Sequence, residues 1–287
     1  MAIPRRTLGL TGLRVTALGY GAIEVRGARI WGGRPVTDEQ AGAILNAVLD
    51  AGIDFIDTAN DYGRSEEFIG RFISRRRSEY YLATKCGGTV VHRDDETDDT
   101  PHVWTRDNLM RGLDESLGRM RTDHVDLTQL HNPSADQATA GDLVDVPGEM
   151  RRQGNARWIG CSSTLPHLAT YIEWGVLDVS HIPYSTIERT HENASSAAAS
   201  AGAGVIDRGC VARGGHRRRR PLGEVRRRTP RRATGRGRVA HGVPAAVPAR
   251  VPARLDRHRG HAEPRSICAR TSPPRSAGHC RPPSWPR

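Results

Sequence analysis

Between residues 15 and 207, short apolar runs alternate with stretches of helical period seven times over, and this repeat constrains the fold more than any other feature of the chain. The apolar runs predict strands at 15–19, 53–57, 80–84, 125–129, 156–160, 177–182 and 203–207. The helix opened by Thr37-Asp38-Glu39-Gln40 places Ala41, Ile44, Leu45, Val48 and Leu49 at helical spacing and ends before Gly52. Further helices are predicted at 65–75, 105–120, 139–153, 165–174 and 190–201. Short strands alternating with helices form parallel sheets through right-handed crossovers, and seven such units exceed an ordinary doubly wound sheet. The pattern therefore predicts an α/β protein, a (β/α)8 TIM barrel of which seven strands are legible. Ile3 to Leu10, with Thr11-Gly12 as a turn, reads as an opening hairpin.

The pattern stops where the composition changes. Residues 216–287 hold twenty arginines against Glu224, Asp256 and Glu263, a balance of +17. The whole chain carries +11, so residues 1–215 are acidic at about −6. The same tail contains eleven of the 18 prolines and no Phe, Tyr or Met, which denies it an apolar face long enough to build a core. Two regions are expected: a truncated barrel at 1–215 and a disordered basic tail at 216–287. Cys86, Cys161, Cys210, Cys268 and Cys280 show no CxxC spacing and no even count, so reduced thiols in a cytoplasmic setting are expected and no metal site is read from them. No apolar run approaches the roughly 18–20 residues of a membrane span, and the expectation is a soluble chain.

In a parallel barrel the chemistry collects where strands end. The second strand ends at Asp57, with Tyr62 five residues on; the third ends at Lys85, and the fourth runs into His131. Lys85 is the single lysine among 43 cationic residues. Where arginine serves nearly every other cationic position, one compact ammonium is informative, because lysine is a point charge able to tune a neighbour. A Tyr hydroxyl near Lys⁺ has its pKa of about 10 lowered, a carboxylate positions the lysine, and an imidazole can orient a carbonyl oxygen. Such a set suits proton delivery to a carbonyl as hydride arrives.

These residues resemble the aldo-keto reductases over roughly residues 3–215. The stretch GIDFIDTANDYG matches the family's segment from Asp57 to Tyr62, LATKCG its lysine at Lys85, and LTQLHNP its histidine at His131. The resemblance implies a (β/α)8 barrel, NADP(H) as cofactor, and a small aldehyde or ketone as substrate, with Asp57, Tyr62, Lys85 and His131 as the catalytic tetrad. It also implies that Ser162 and Ser163 in WIGCSS lie near the nicotinamide carboxamide and that Tyr184 in IPYSTIER stacks on the ring. Gly21, Ala22 and Ile23, with Asp57, would line the same pocket. Two positions depart from the family: His181 stands where glutamine is common, and Cys161 where valine is frequent.

The larger departure is the tail. The family continues through a helix, an eighth strand and a final helix that grip the cofactor's 2′-phosphate and adenosine, and nothing after Gly215 reads that way. Arg, Pro, Ala, Gly and His in excess are what a GC-rich gene yields out of frame. Shifted by one base, Arg232 to Arg236 permit DELLD, Leu255 to Pro264 permit TVIVGTRN, and His241 to Pro248 permit a Glu-Phe-Leu-Leu-Arg-Phe run, in family order. The tail thus looks frameshifted, and a barrel without its eighth strand is expected to expose the edges of its first and seventh strands. The alternative function is a catalytically inactive reductase-like protein whose Arg217–Arg220 and Arg226–Arg228 runs bind nucleic acid or other polyanions nonspecifically. Trp285 is the tail's one aromatic, so no specific nucleic-acid partner is expected. Substrate identity and oligomeric state are not readable from the chain.

Overall fold

The first strand pair does not join the barrel. In the computed structural model, which describes residues 2–95, 97–210 and 266–270, β1 (Arg5–Thr7) and β2 (Arg14–Thr16) form an antiparallel hairpin of their own. Leu8 and Val15, fully buried, pack with Phe55, Ala83, Leu127, Val179 and Ile206, so the hairpin plugs the bottom of the barrel. Gly9 has φ +54 and lies so close to the 203–204 backbone that a Cβ would come within 2.2 Å of the Gly204 nitrogen. The plug can seat only with glycine at this position. The predicted strand at 15–19 is accordingly divided. Its first residues belong to the hairpin, and the barrel begins with β3 (Leu18–Gly21).

Six further parallel strands follow in order: β4 (Phe55–Asp57), β5 (Tyr81–Cys86), β6 (Val125–His131), β7 (Ala156–Ser162), β8 (Val179–Pro183) and β9 (Gly204–Arg208). Seven parallel strands with outer helices are the architecture that the alternating pattern predicts, and no eighth parallel strand with its helix is found among the described residues. The eighth position is instead held by β10 (Ser266–Arg270), which pairs antiparallel with both β3 and β9 and closes the barrel. The expected open edges of the first and seventh strands are therefore occupied. Unpaired N–H and C=O groups on two facing edges are a template for any extended segment within reach. The predicted disorder of the tail and its arginine runs lie outside the described residues.

The helices follow from local chemistry. α1 (Asp38–Asp50) starts in a capping box, Thr37 accepting from the Gln40 backbone while Gln40 accepts from the Thr37 backbone. It buries Ala41, Leu45, Val48 and Leu49 against the sheet, each large aliphatic contributing about 1.5–3 kcal/mol. α2 (Ser65–Phe72) stops short of the predicted 75, and the chain goes on as a 3-10 segment over Ser74–Glu79. α3 (Arg106–Met120) matches its expected span closely. The single helix predicted over 139–153 is two, α4 (Ala135–Ala140) and α5 (Val146–Arg152), because Pro147 is tolerated only in the first turn of a helix and so forces a new start. α6 (His167–Trp174) and α7 (Glu192–Ser200) complete the described set, in which no helix is long and apolar enough to cross a membrane.

Candidate active site

Register brings the polar strand ends together. Gly21 pairs with Asp57, Asp57 with Ala83, Lys85 with Gln129, His131 with Ser162, and Ser162 with His181. The upper barrel is therefore ringed by charged and polar side chains, and nearly all of them are buried. Lys85 is 1% exposed and Asp57 3%. The Lys85 ammonium donates to Asp57 Oδ2 and, at 2.8 Å, to the carbonyl of Thr58. Its nitrogen lies 4.8 Å from the centre of the Tyr62 ring, and the Tyr62 ring meets His131 edge to face at 5.8 Å. Asp57, Tyr62, Lys85 and His131, separated by up to 74 positions in the chain, thus form one cluster.

Electrostatics in this cluster departs in one respect from the sequence expectation. Burial pushes the Tyr62 hydroxyl up; Lys85 pulls it down, while Asp57 and Asp61 add to the rise, and the net direction is upward rather than downward. Tyr62 is thereby kept in its protonated, donating form. For Lys85 burial acts downward, but Asp57 beside it, with Tyr62 and Asp61, outweighs burial and raises the ammonium's pKa, so the lysine stays charged.

A second layer joins His181 to the cluster through a residue that the sequence reading missed, Gln129. Gln129 donates to Asp57 Oδ1 at 2.7 Å, and its Oε1 lies 3.0 Å from His181 Nδ1. With the Gln129 amide nitrogen engaged by the carboxylate, its oxygen must accept, so His181 carries its proton on Nδ1. Burial first, then Lys85, Arg208 and His131, hold the His181 pKa well below the ordinary value, so the ring is neutral. Its Nε2 is then a buried acceptor with no partner among the described residues. Gln129 shares a strand face with His131 two residues on, a period-2 relation that could have drawn attention to it.

This neutral imidazole makes stability depend on pH. Below about pH 6.5 the unfolded chain takes up a proton at His181 that the folded protein refuses, so the contribution is intact above that pH and is lost as pH falls. His181→Gln should reduce the loss of unfolding free energy between about pH 7 and about pH 5 by about 2 kcal/mol relative to the parent. Urea denaturation at the two pH values measures this, and equal losses in parent and variant would mean that His181 is charged in the fold.

The remaining sequence-predicted residues border the same region. Gly21 ends β3, and Ala22 and Ile23 open a 3-10 turn whose carbonyls accept from Ser65 Oγ (2.9 Å) and Arg26 Nη1 (2.7 Å). Ser162 ends β7, Ser163 donates its N–H to the His181 carbonyl at 3.2 Å, and both serines are buried. Tyr184 follows β8, 2% exposed, its hydroxyl donating to Glu192 at 2.9 Å. Cys161 is a fully buried thiol with a raised pKa, caused chiefly by burial, and Cys86 is likewise pushed up to about 12, so neither is a nucleophile at neutral pH. A cavity of about 260 Å³ opens over Tyr62, His131 and Ser162, walled by Trp31, His102, Trp104, Asn132 and Arg208. The sequence reading named none of these five. Trp31, His102 and Trp104 come from loops far from any strand end, and only Asn132 and Arg208, at strand ends, follow the rule used to find the others.

A buried lysine-carboxylate pair beside a tyrosine and a histidine, at the C-terminal ends of consecutive barrel strands, is the arrangement expected of a carbonyl oxidoreductase. Comparison with known proteins agrees: residues 17–243 match the Aldo/keto reductase family, and the chain belongs to that family. The matched residues run past the boundary near 215 that composition suggests. Among relatives, the chain is 30% identical to L-galactose dehydrogenase of Arabidopsis thaliana over 226 residues, covering 74% of this chain and 66% of that protein. It is 26% identical to the NADH-specific methylglyoxal reductase of Escherichia coli, covering 65% and 60%. Among solved structures, an aldo-keto reductase from Bacillus halodurans in its holo form superposes with a TM-score of 0.66 at 28% identity, covering 77% of this chain and 71% of that one. The chain spans less than two thirds of the length of several curated relatives it matches, 54% in the case of the aldo-keto reductase YhdN of Bacillus subtilis.

Proposed function

We propose that the chain carries the catalytic half of a reductase that uses NADPH to reduce a small aldehyde or ketone. The observation that carries this reading is the buried contact of Lys85 with Asp57 beneath the Tyr62 ring, with His131 across from it. NADPH, when bound, supplies the hydride. Tyr62, held protonated by burial, gives its proton to the carbonyl oxygen, and His131 aligns that oxygen from the opposite side of the cavity. Lys85 stands ready to balance the phenolate that Tyr62 becomes, and Asp57 and Gln129 keep Lys85 in place.

The residues present fit the nicotinamide end of the cofactor. The unpartnered Nε2 of His181 is an acceptor suited to a carboxamide N–H, in the position where glutamine is common in the family, and Ser162 and Ser163 bring two buried hydroxyls beside it. Gly21, Ala22 and Ile23 would border the ring, and the Tyr184 ring would stack on it. The reading includes a cytoplasmic setting, supported by the free thiols of Cys86, Cys161 and Cys210.

The adenosine end is a different matter. Ser266 pairs with Tyr20 near the upper end of β3, whereas Arg270 pairs with Val205 low on β9, so β10 runs downward. β10 therefore does not present at the face of the site the C-terminal strand end from which the family's phosphate-gripping loop would start. This supports the frameshift reading of the tail. NADPH should accordingly bind the chain at least about tenfold more weakly than a frame-restored protein, one charge-assisted contact being worth about 1.5–3 kcal/mol. Quenching of intrinsic fluorescence on titration measures both affinities, and equal values would remove the frameshift from the account. The catalytic reading is tested by NADPH consumption with a panel of small aldehydes and ketones. If the frame-restored protein consumes none, the assignment of the reaction is wrong.

A further inference from the structure

Beside the tetrad, and sharing His131 with it, lies a cluster whose Asp61 and His102 the reductase reading does not use. Asp61, His102 and His131 come from the loop after β4, the loop between β5 and α3, and the end of β6. Their ligand-type atoms lie within 4.8 Å of one another. Asp61 is fully buried, and neither of its carboxylate oxygens has a hydrogen-bond partner among the described residues; the same holds for His131 Nδ1. His131 Nδ1 lies 3.0 Å and His102 Nε2 3.3 Å from Asp61 Oδ2, close but out of hydrogen-bonding alignment. A buried carboxylate whose nearest donors are two poorly aligned imidazoles gains from a cation seated against it.

The spacing suits a metal ion. Ligands held about 2.0–2.2 Å from zinc at angles between about 90° and the tetrahedral value are separated by about 2.9–3.5 Å; both nitrogen-oxygen distances fall in that range, and the two imidazole nitrogens lie within 4.8 Å of each other. We propose that Asp61, His102 and His131 form a binding site for a divalent first-row transition metal of the Zn²⁺ type, with the cavity lined by His102 and His131 offering the remaining position to water. Two imidazoles and a carboxylate are a donor set that such metals favour over Mg²⁺ or Ca²⁺, which take oxygen ligands. The surroundings hold the donors in place. The Asp61 side chain is wedged against Gly88, where a Cβ would come within 2.7 Å of Oδ2, and His102 stacks on Trp104 with 5.5 Å between ring centres. The ammonium of Lys85 is already paired with Asp57, and with neutral imidazoles the three ligands themselves carry the single negative charge of Asp61. A metal on Nδ1 would leave the proton of His131 on Nε2, turning that nitrogen into a fixed donor.

The test uses the full chain stripped with a chelator and titrated with Co²⁺, followed by its visible ligand-field absorption, and with Zn²⁺ in competition. One equivalent of Co²⁺ should give the bands of a four- or five-coordinate nitrogen-oxygen site and be displaced by Zn²⁺. His102→Ala, at a partly exposed position, should weaken binding by at least about tenfold with an unchanged circular dichroism spectrum. Asp61→Asn should do the same, and if that variant does not fold, His102→Ala decides alone. The tail contains His216, His241, His258, His261, His279, Cys268 and Cys280. Absence of the bands, or bands that persist at full affinity in His102→Ala as tail binding would give, overturns the proposal.

Discussion

Tyr62→Phe should lower carbonyl turnover by about 10²–10⁴, the range for loss of a positioned acid, while leaving cofactor affinity unchanged. The ring would still fill its place between Trp31 and His131, both of which it meets edge to face at 5.9 and 5.8 Å, so packing is kept and only the proton is removed. The loss should fall on kcat, with KM little altered, because the hydroxyl acts on charge that develops in the transition state. Steady-state NADPH oxidation on the frame-restored protein, with nucleotide binding measured separately, distinguishes this from a collapsed site. Turnover within a few-fold of the parent would dismiss Tyr62 as the donor.

Lys85→Met should be the most destabilising single change in the site. Asp57, 3% exposed, accepts from Lys85 and from Gln129, and loss of the ammonium leaves a buried carboxylate with one hydrogen bond and no opposing charge. Breaking a buried pair from one side costs about 3–5 kcal/mol, against a total stability of about 5–15 kcal/mol. At this chain length that corresponds to a fall in Tm of about 6–20 °C. Removing both charges with Asp57→Asn and Lys85→Met should recover most of the loss, since the penalty belongs to the orphaned ion more than to the pair. Lys85→Arg keeps the charge but should still lose turnover, because a planar guanidinium does not fit where Lys85 reaches the Thr58 carbonyl and the Tyr62 ring together. Thermal unfolding of the four proteins and NADPH oxidation by the arginine variant check these outcomes. A methionine variant as stable as the parent would show that Asp57 is protonated or solvated in the fold.

The residues themselves determined the β/α repeat, because strand and helix periods are properties of neighbouring side chains, and they determined which strand ends carry titratable groups. That Asp57, Tyr62, Lys85 and His131 would meet was legible because a parallel barrel sends the C-terminal ends of all its strands to one face. Local chemistry also held the split at Pro147, whose consequence for the 139–153 helix was there to be read. Tertiary structure alone decided what depends on distance across the sheet. Gln129 links Asp57 to His181 only because β6 lies between β5 and β7 in register and the two side chains it bridges reach it across the barrel interior. Asp61, His102 and His131 meet although 41 and 29 positions separate them, a juxtaposition that no local period encodes. The net rise of Tyr62 likewise depends on how deeply the hydroxyl is buried, which the proximity of a lysine in the sequence does not reveal. The closure of the barrel by β10 is the clearest case. An arginine-rich tail has no strand period of its own, and its Ser266–Arg270 segment is extended because two parallel strands leave facing edges whose backbone groups require partners.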